Sequence, residues 1–222
     1  MDAERQIETR VITNLCKLLE GTGRFKKVVK GEAIKGKGIG EILGWHGIDA
    51  PWVTVTPDLI IASDNYRKIP DDVFLLAIET KYFPKDAAQS KKHWRQSFRE
   101  IGQSLRDLLY GFDAVLLWHL FSEEAGDGNV TAYAEMCDEV ITKLKLPMIY
   151  FATQMTRENK FRFFKPWALG NSAPPSDVNH LAEYLKQINL DQSYGAKWNP
   201  LLHDEKATRM RRAIKSVLRI PH

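Results

Sequence analysis

Apolar residues recur at helical spacing near the start of the chain. Ile7, Val11, Leu15 and Leu18 share one face and Gly21 and Gly23 follow, which predicts a helix over residues 3–20. Phe25–Lys30 has the length of a short strand. The pattern then breaks: residues 31–51 hold six of the fourteen glycines and several lysines, which predicts a long loop or mobile hairpin. Two stronger strands follow. Val53–Ser63 is β-branched and apolar, and Val73–Phe83 is almost continuously apolar until its end. Turn residues between them, Asp64–Arg67 and Pro70–Asp72, predict an antiparallel pair.

Further along, Trp94, Phe98, Ile101, Leu105, Leu108 and Leu109 form an apolar stripe on a helix from Gln89 to Tyr110, closed by Gly111. Ala114–Phe121 reads as a buried strand, Val130–Leu144 as a helix, Pro147–Thr153 as a strand and Phe161–Phe164 as an edge strand. Gly170–Ser176 reads as a linker before a helix at Val178–Ile188 and a basic helix at Asp204–Leu218. This succession predicts an α/β fold, a central mixed sheet flanked by helices. Residues 1–169 form the main domain, and residues 170–222 a helical extension packed on it.

Composition narrows the class. The chain has 222 residues, 44% of them apolar and 27% charged, as expected of one globular domain with its own core. The longest apolar stretches, Phe74–Ile78 and Ala114–Trp118, are strand-sized and far below the ~20 residues that span a bilayer. The opening Met1–Arg5 is too polar for a signal or transit peptide, and Cys16 and Cys137 form neither a disulfide framework nor a metal-ligand spacing. A reduced, cytoplasmic protein with no membrane association is expected. Net charge is +4, unevenly spread: Glu205–His222 carries six cations against one anion, so the rest of the chain sums to −1. A basic end on a near-neutral body suits a polyanionic partner and equally a solvated helix face.

The chemistry gathers at the end of one strand. Alternation places Val73, Leu75, Ala77, Glu79 and Lys81 on one face of Val73–Phe83. A carboxylate and an ammonium emerging from an otherwise buried strand need a reason, because charges are rarely buried unless paired or bound to a metal. On the preceding strand, Asp58 stands just before an apolar run and can come opposite that charged end. Asp58 and Glu79 would then be two neighbouring carboxylates, costly unless one is protonated or a divalent cation lies between them. An all-oxygen site of this kind favours Mg²⁺ or Mn²⁺.

Pro57-Asp58, 20 intervening residues and Glu79-Thr80-Lys81 together resemble the PD-(D/E)XK signature of the restriction-endonuclease-like nuclease superfamily. The resemblance implies an αβββαβ core over residues 3–121, with residues 170–222 as a C-terminal helical extension of a nuclease-like domain at 1–169. It implies metal binding by Asp58, Glu79 and the Thr80 carbonyl, with Lys81 orienting or deprotonating the attacking water. Members often add a glutamate from the first helix, here Glu8, with Glu4 one turn earlier as its substitute. Some branches add a glutamine on the helix after the Glu-x-Lys strand, here Gln103. At ~100° per residue Gln103 lies opposite the apolar stripe with Gln96, Arg99, Arg106 and Tyr110, a face for phosphates or for water. The Gln-x-x-x-Tyr spacing of the exonuclease-type branch is absent.

Lys35 and Lys37 sit in a glycine-rich loop that lacks the phosphate-binding GxxxxGK[ST] pattern and can contact DNA or form a plain hairpin. Arg209 and Arg212 on the last helix would touch phosphates independently of sequence. The six histidines show no ligand spacing, and His119 is expected to pack within its strand. The expectation is therefore an Mg²⁺- or Mn²⁺-dependent DNA endonuclease without a small-molecule cofactor. A non-catalytic DNA-binding or interaction protein on the same fold, or an RNA nuclease, is the alternative. A homodimer would suit cleavage of both strands, although no heptad or distinctive apolar face marks one.

Overall fold

The unbroken run from Val73 to Phe83 forms the longest strand, β3, whose first eight residues are buried. The computed structural model describes residues 3–34, 44, 47, 56–66, 73–85, 91–166 and 174–220. In chain order the elements are α1 (Ala3–Gly21), β1 (Lys27–Lys30), β2 (Leu59–Asp64), β3, α2 (Lys91–Asp107), β4 (Ala114–Phe121), α3 (Asp127–Lys143), β5 (Ile149–Met155), β6 (Phe161–Lys165), α4 (Val178–Gln187) and α5 (Glu205–Leu218). The six strands make one mixed sheet in sequence order. β1–β2, β2–β3 and β5–β6 are antiparallel, whereas β3–β4 and β4–β5 are parallel. Each parallel pair is joined by a helix, as parallel neighbours require.

Alternation divides the sheet between two layers. One face buries Leu59, Ile61, Leu76, Ile78, Trp118 and Phe151 against α1 residues Ile12, Leu15 and Leu19 and α4 residues Leu181 and Leu185. The other buries Ile60, Leu75, Ala77 and Val115 against Met210, Ala213 and Ile214 of α5. Further along that second face, Leu117, Phe121 and Tyr150 pack on Ile101 of α2 and on Val130, Ala134 and Ile141 of α3. The expected mixed sheet between helices is therefore present. Among the described residues, no helix is long and apolar enough to cross a membrane.

Three expectations need correction. Of the strand expected over Val53–Ser63, residues 53–55 lie outside the described residues and 56–58 are not strand; β2 begins at Leu59, because Pro57 has no N–H for a ladder and Asp58 turns its side chain to the neighbouring strand. The helix expected to run to Tyr110 ends at Asp107 and tightens into a 3-10 turn at Leu108–Tyr110, closed by Gly111 at φ 77°. Leu109, expected in the apolar stripe, is exposed there, and Tyr110, expected opposite it, is fully buried. The third concerns the basic last helix. Arg211 and Lys215, two of its five cations, are buried rather than solvated. Arg211 donates to Asp113 at 2.7 Å, to the Gly111 carbonyl at 2.9 Å and to the Val73 carbonyl at 2.5 Å. Lys35, Lys37 and most of the glycine-rich segment lie outside the described residues.

Candidate active site at the end of the central strand

The β2–β3 ladder stops at Leu59 opposite Ile78, while β3 runs on to Phe83 beside β4. Glu79, Thr80 and Lys81 thus occupy the stretch of β3 that, among the described residues, is laddered on one side only. The Thr80 N–H on the side that β2 has left donates to Asp58 Oδ2 at 2.8 Å. Gly31 fixes this segment from behind. Its N–H donates to the Asp58 carbonyl at 3.1 Å, and a Cβ at Gly31 would lie 1.6 Å from the Pro57 carbonyl oxygen. Asp58 is therefore held by backbone on both sides.

Lys81 Nζ pairs with Glu8 Oε2 at 2.5 Å, and both side chains are largely buried. Glu8 comes from the first turns of α1, which covers the opposite face of the sheet. The ion pair ties the two layers together where β2 has ended.

Glu79 points into the second layer, 4% exposed, toward the fully buried Asp107 at the end of α2. Neither Asp107 oxygen, nor Oε1 of Glu79, meets a protein donor. The two carboxyls can bond to each other only with a proton between them; burial, then the charges of Asp107 and Asp58, push Glu79 strongly up. Burial also raises Asp107, against the opposing Glu79 hydrogen bond and the Arg106 charge. Asp58 is pushed up to about 7, first by burial and then by the charges of Glu8 and Glu100, although the Thr80 N–H and Lys81 pull it down. Three neighbouring carboxyls are thus held more basic than usual, by burial above all.

The structure brings Asp58, Glu79, Thr80, Lys81 and Glu8 together. Gln103 is half-buried and Arg99 exposed, both on α2. Arg106 departs from the phosphate- or water-facing stripe expected of it: its Nε and Nη2 are buried, and its charge acts on Glu79 and Asp107. Arg209 is half-buried and pairs with Glu205 at 3.0 Å, while Arg212 is exposed. Glu4 lies outside the residues whose side chains are described.

Sequence reasoning missed Asp107 and Glu100. At ~100° per residue, Glu100, Ser104 and Asp107 follow one flank of α2 beside Ile101 and Leu108. That flank faces the sheet, so the buried arc of the helix includes its acids and leaves out Leu109. Acids seven apart bordering an apolar stripe were the available signal.

As the side chains stand, no three His, Cys, Asp or Glu groups among the described residues are arranged to hold a metal ion. The donor set nonetheless suits a hard divalent cation: it is all oxygen, and three of its buried oxygens lack any protein donor. No family model, curated protein or solved structure matches the chain.

Proposed function

We propose that the protein is a divalent-metal-dependent nuclease hydrolysing phosphodiester bonds in DNA as an endonuclease, on a restriction-endonuclease-like core, in the cytoplasm. One observation carries the reading. Asp58, Glu79 and Lys81 meet where a ladder ends, with both carboxyls raised first by burial and then by the charges of neighbouring acids. Strongly perturbed groups gathered at one point are a mark of functional sites. The succession α1-β1-β2-β3-α2-β4 supports the same reading, being the order of that core.

Asp58, Glu79 and the Thr80 carbonyl would hold Mg²⁺ or Mn²⁺. When bound, the cation supplies Lewis-acid activation of water and neutralises charge developing on the phosphate. Lys81 then has two tasks. Freed from Glu8, its ammonium stabilises the growing negative charge on the phosphoryl oxygens. It also orients the attacking water or takes its proton. Glu8 holds Lys81 in place between turnovers. The exposed Arg99 and Arg212 offer phosphate contacts that carry no sequence information.

The test incubates the protein with supercoiled plasmid, linear and branched DNA, and RNA, in Mg²⁺, Mn²⁺ or EDTA, beside Lys81→Ala and Asp58→Ala. Metal-dependent nicking of the plasmid, lost in both variants, is expected. DNA binding that is equal in EDTA, without cutting, would replace the nuclease with a binding protein whose Lys81–Glu8 pair is structural. Cutting confined to RNA would change the substrate and keep the site.

A further inference from the structure

His119 is fully buried on β4, directly opposite Lys81 in the parallel register and so on the same face of the sheet. Its ring is clamped by Phe83 and Tyr150, with centroids at 5.0 and 5.2 Å. Nδ1 lies 3.0 Å from the Tyr150 hydroxyl, which is itself hydrogen-bonded to Cys137. With Nδ1 so engaged, Nε2 faces outward toward Glu100 Oε2 at 3.5 Å, longer than a hydrogen bond. Glu100 belongs to α2, which packs on β3 and β4. Its side chain is 13% exposed, and Oε2 meets no hydrogen-bond donor.

We propose that Glu100 is a further carboxylate of the cation site, and that His119 is the positioning residue that keeps it turned toward Asp58. This rests on the nuclease reading for the site and adds a residue to it. Three observations support the assignment. Glu100 lies 3.5 Å from His119, the register neighbour of Lys81, which sets it on the same side of the sheet as the site, and its charge acts on Asp58. Glu79, 4% exposed with an unpartnered Oε1, shows independently that this corner lacks donors for the carboxyls already there. A histidine backed by a hydroxyl and 3.5 Å from a carboxylate also stands where a small closure would give the outer hydrogen bond by which metal-binding side chains are oriented.

The experiment measures Mn²⁺ affinity of the full chain by the electron paramagnetic resonance of free Mn²⁺, for wild type, Glu100→Gln and His119→Asn. Melting curves in EDTA accompany each titration. Glu100→Gln should weaken Mn²⁺ binding at least ~10-fold, and His119→Asn by about 10-fold with Glu100 still present. In EDTA the Glu100→Gln protein should melt no lower than wild type, because the change removes a repulsion from Asp58. Unchanged Mn²⁺ affinity with a lowered melting temperature would overturn the proposal and leave a structural pair. Wild type that cuts DNA and binds Mn²⁺, with Glu100→Gln binding equally well, overturns this inference alone. Mn²⁺ binding that Glu100→Gln weakens, in a protein that cuts nothing, upholds it and removes the nuclease reading. A wild type that binds no Mn²⁺ removes both. Should Glu100→Gln fail to fold, His119→Asn carries the test.

Discussion

Replacing Arg211 by methionine tests whether the basic last helix is architecture or a phosphate-binding face. The guanidinium is 4% exposed and makes three charge-assisted contacts, to Asp113, Gly111 and Val73. Asp113 is 3% exposed, and apart from Arg211 its Oδ2 accepts from the Leu75 N–H at 2.6 Å. Methionine retains most of the apolar stem, so the loss is largely electrostatic. It strands a buried carboxylate and uncaps two buried carbonyls. Breaking such a pair from one side costs about 3–5 kcal/mol. At roughly 2–4 °C per kcal/mol for a domain of this size, Tm should fall by about 6–20 °C. Asp113→Asn in the same chain removes the stranded charge while keeping an acceptor for Leu75, so the double variant should regain about 2 kcal/mol relative to additivity. Calorimetry at neutral pH measures all four members of the cycle. A phosphate contact predicts something different: an unchanged Tm, and a salt dependence of DNA affinity shallower by about one unit of slope. A Tm drop under about 2 °C for Arg211→Met, or strict additivity in the cycle, would refute the structural assignment.

Other outcomes follow from the site. Asp58, Glu79 and Asp107 hold protons in the folded chain at pH values where the unfolded chain has released them, so stability should fall as pH rises from about 4 through about 7 and beyond. Melting curves in EDTA across pH 5–8.5 show this directly, and saturating Mn²⁺ should abolish the decline because the cation replaces the protons. Asp107→Asn removes one of two facing acids and supplies a donor, so in EDTA at pH 7.5 it should raise Tm by a few degrees, and a lower Tm would refute the account of that pair. Gly31→Ala drives a Cβ into the Pro57 carbonyl and must displace Asp58. It should lower metal-dependent cutting at least ~10-fold, read in the plasmid assay, while a neighbouring Glu32→Ala leaves it unchanged.

How legible the fold was depended on whether residues followed or broke their local period. Val73–Phe83 and Ala114–Phe121 lie where unbroken apolar runs between turn residues put them, because interior strands of a parallel pair are buried on both faces. β2 was over-extended because propensity does not register that Pro57 cannot donate, nor that Asp58 serves the next strand by its side chain. Asp58, Glu79 and Lys81 stood out because each interrupts an apolar pattern. Glu100 and Asp107 did not, since an acid on an amphipathic helix conforms to expectation, and only packing shows which flank is covered. Arg211 was legible in principle. Ala207, Met210, Ile214 and Leu218 are buried at helical spacing, and Arg211 falls on that stripe, one residue after Met210 and three before Ile214. A cation on an apolar stripe is a candidate for a buried pair, a reading that counting net charge along the segment hides.

Asp107 and Asp113 show why the site is more than a cluster of acids. Both belong to the passage from α2 to β4, and both are nearly inaccessible. Asp113 is supplied with a backbone N–H and a guanidinium, so its charge is compensated in full view of the fold's own needs. Asp107 is given another carboxyl, and the adjacent Arg106 leaves two of its nitrogens unpaired. The same chain therefore satisfies a buried acid where architecture alone is served and leaves others unsatisfied where the β2–β3 ladder ends. Stability by itself favours an amide or an apolar residue at Asp107, because burying a carboxyl without donors is unfavourable and such replacements are commonly neutral or stabilising. The missing ingredient at Asp58, Glu79 and Asp107 is positive charge, and a divalent cation entering that corner would release their protons and lower the energy of the folded state. Binding and stability would then be one linked equilibrium: the burial and repulsion that raise these carboxyls would be the terms that favour a cation there.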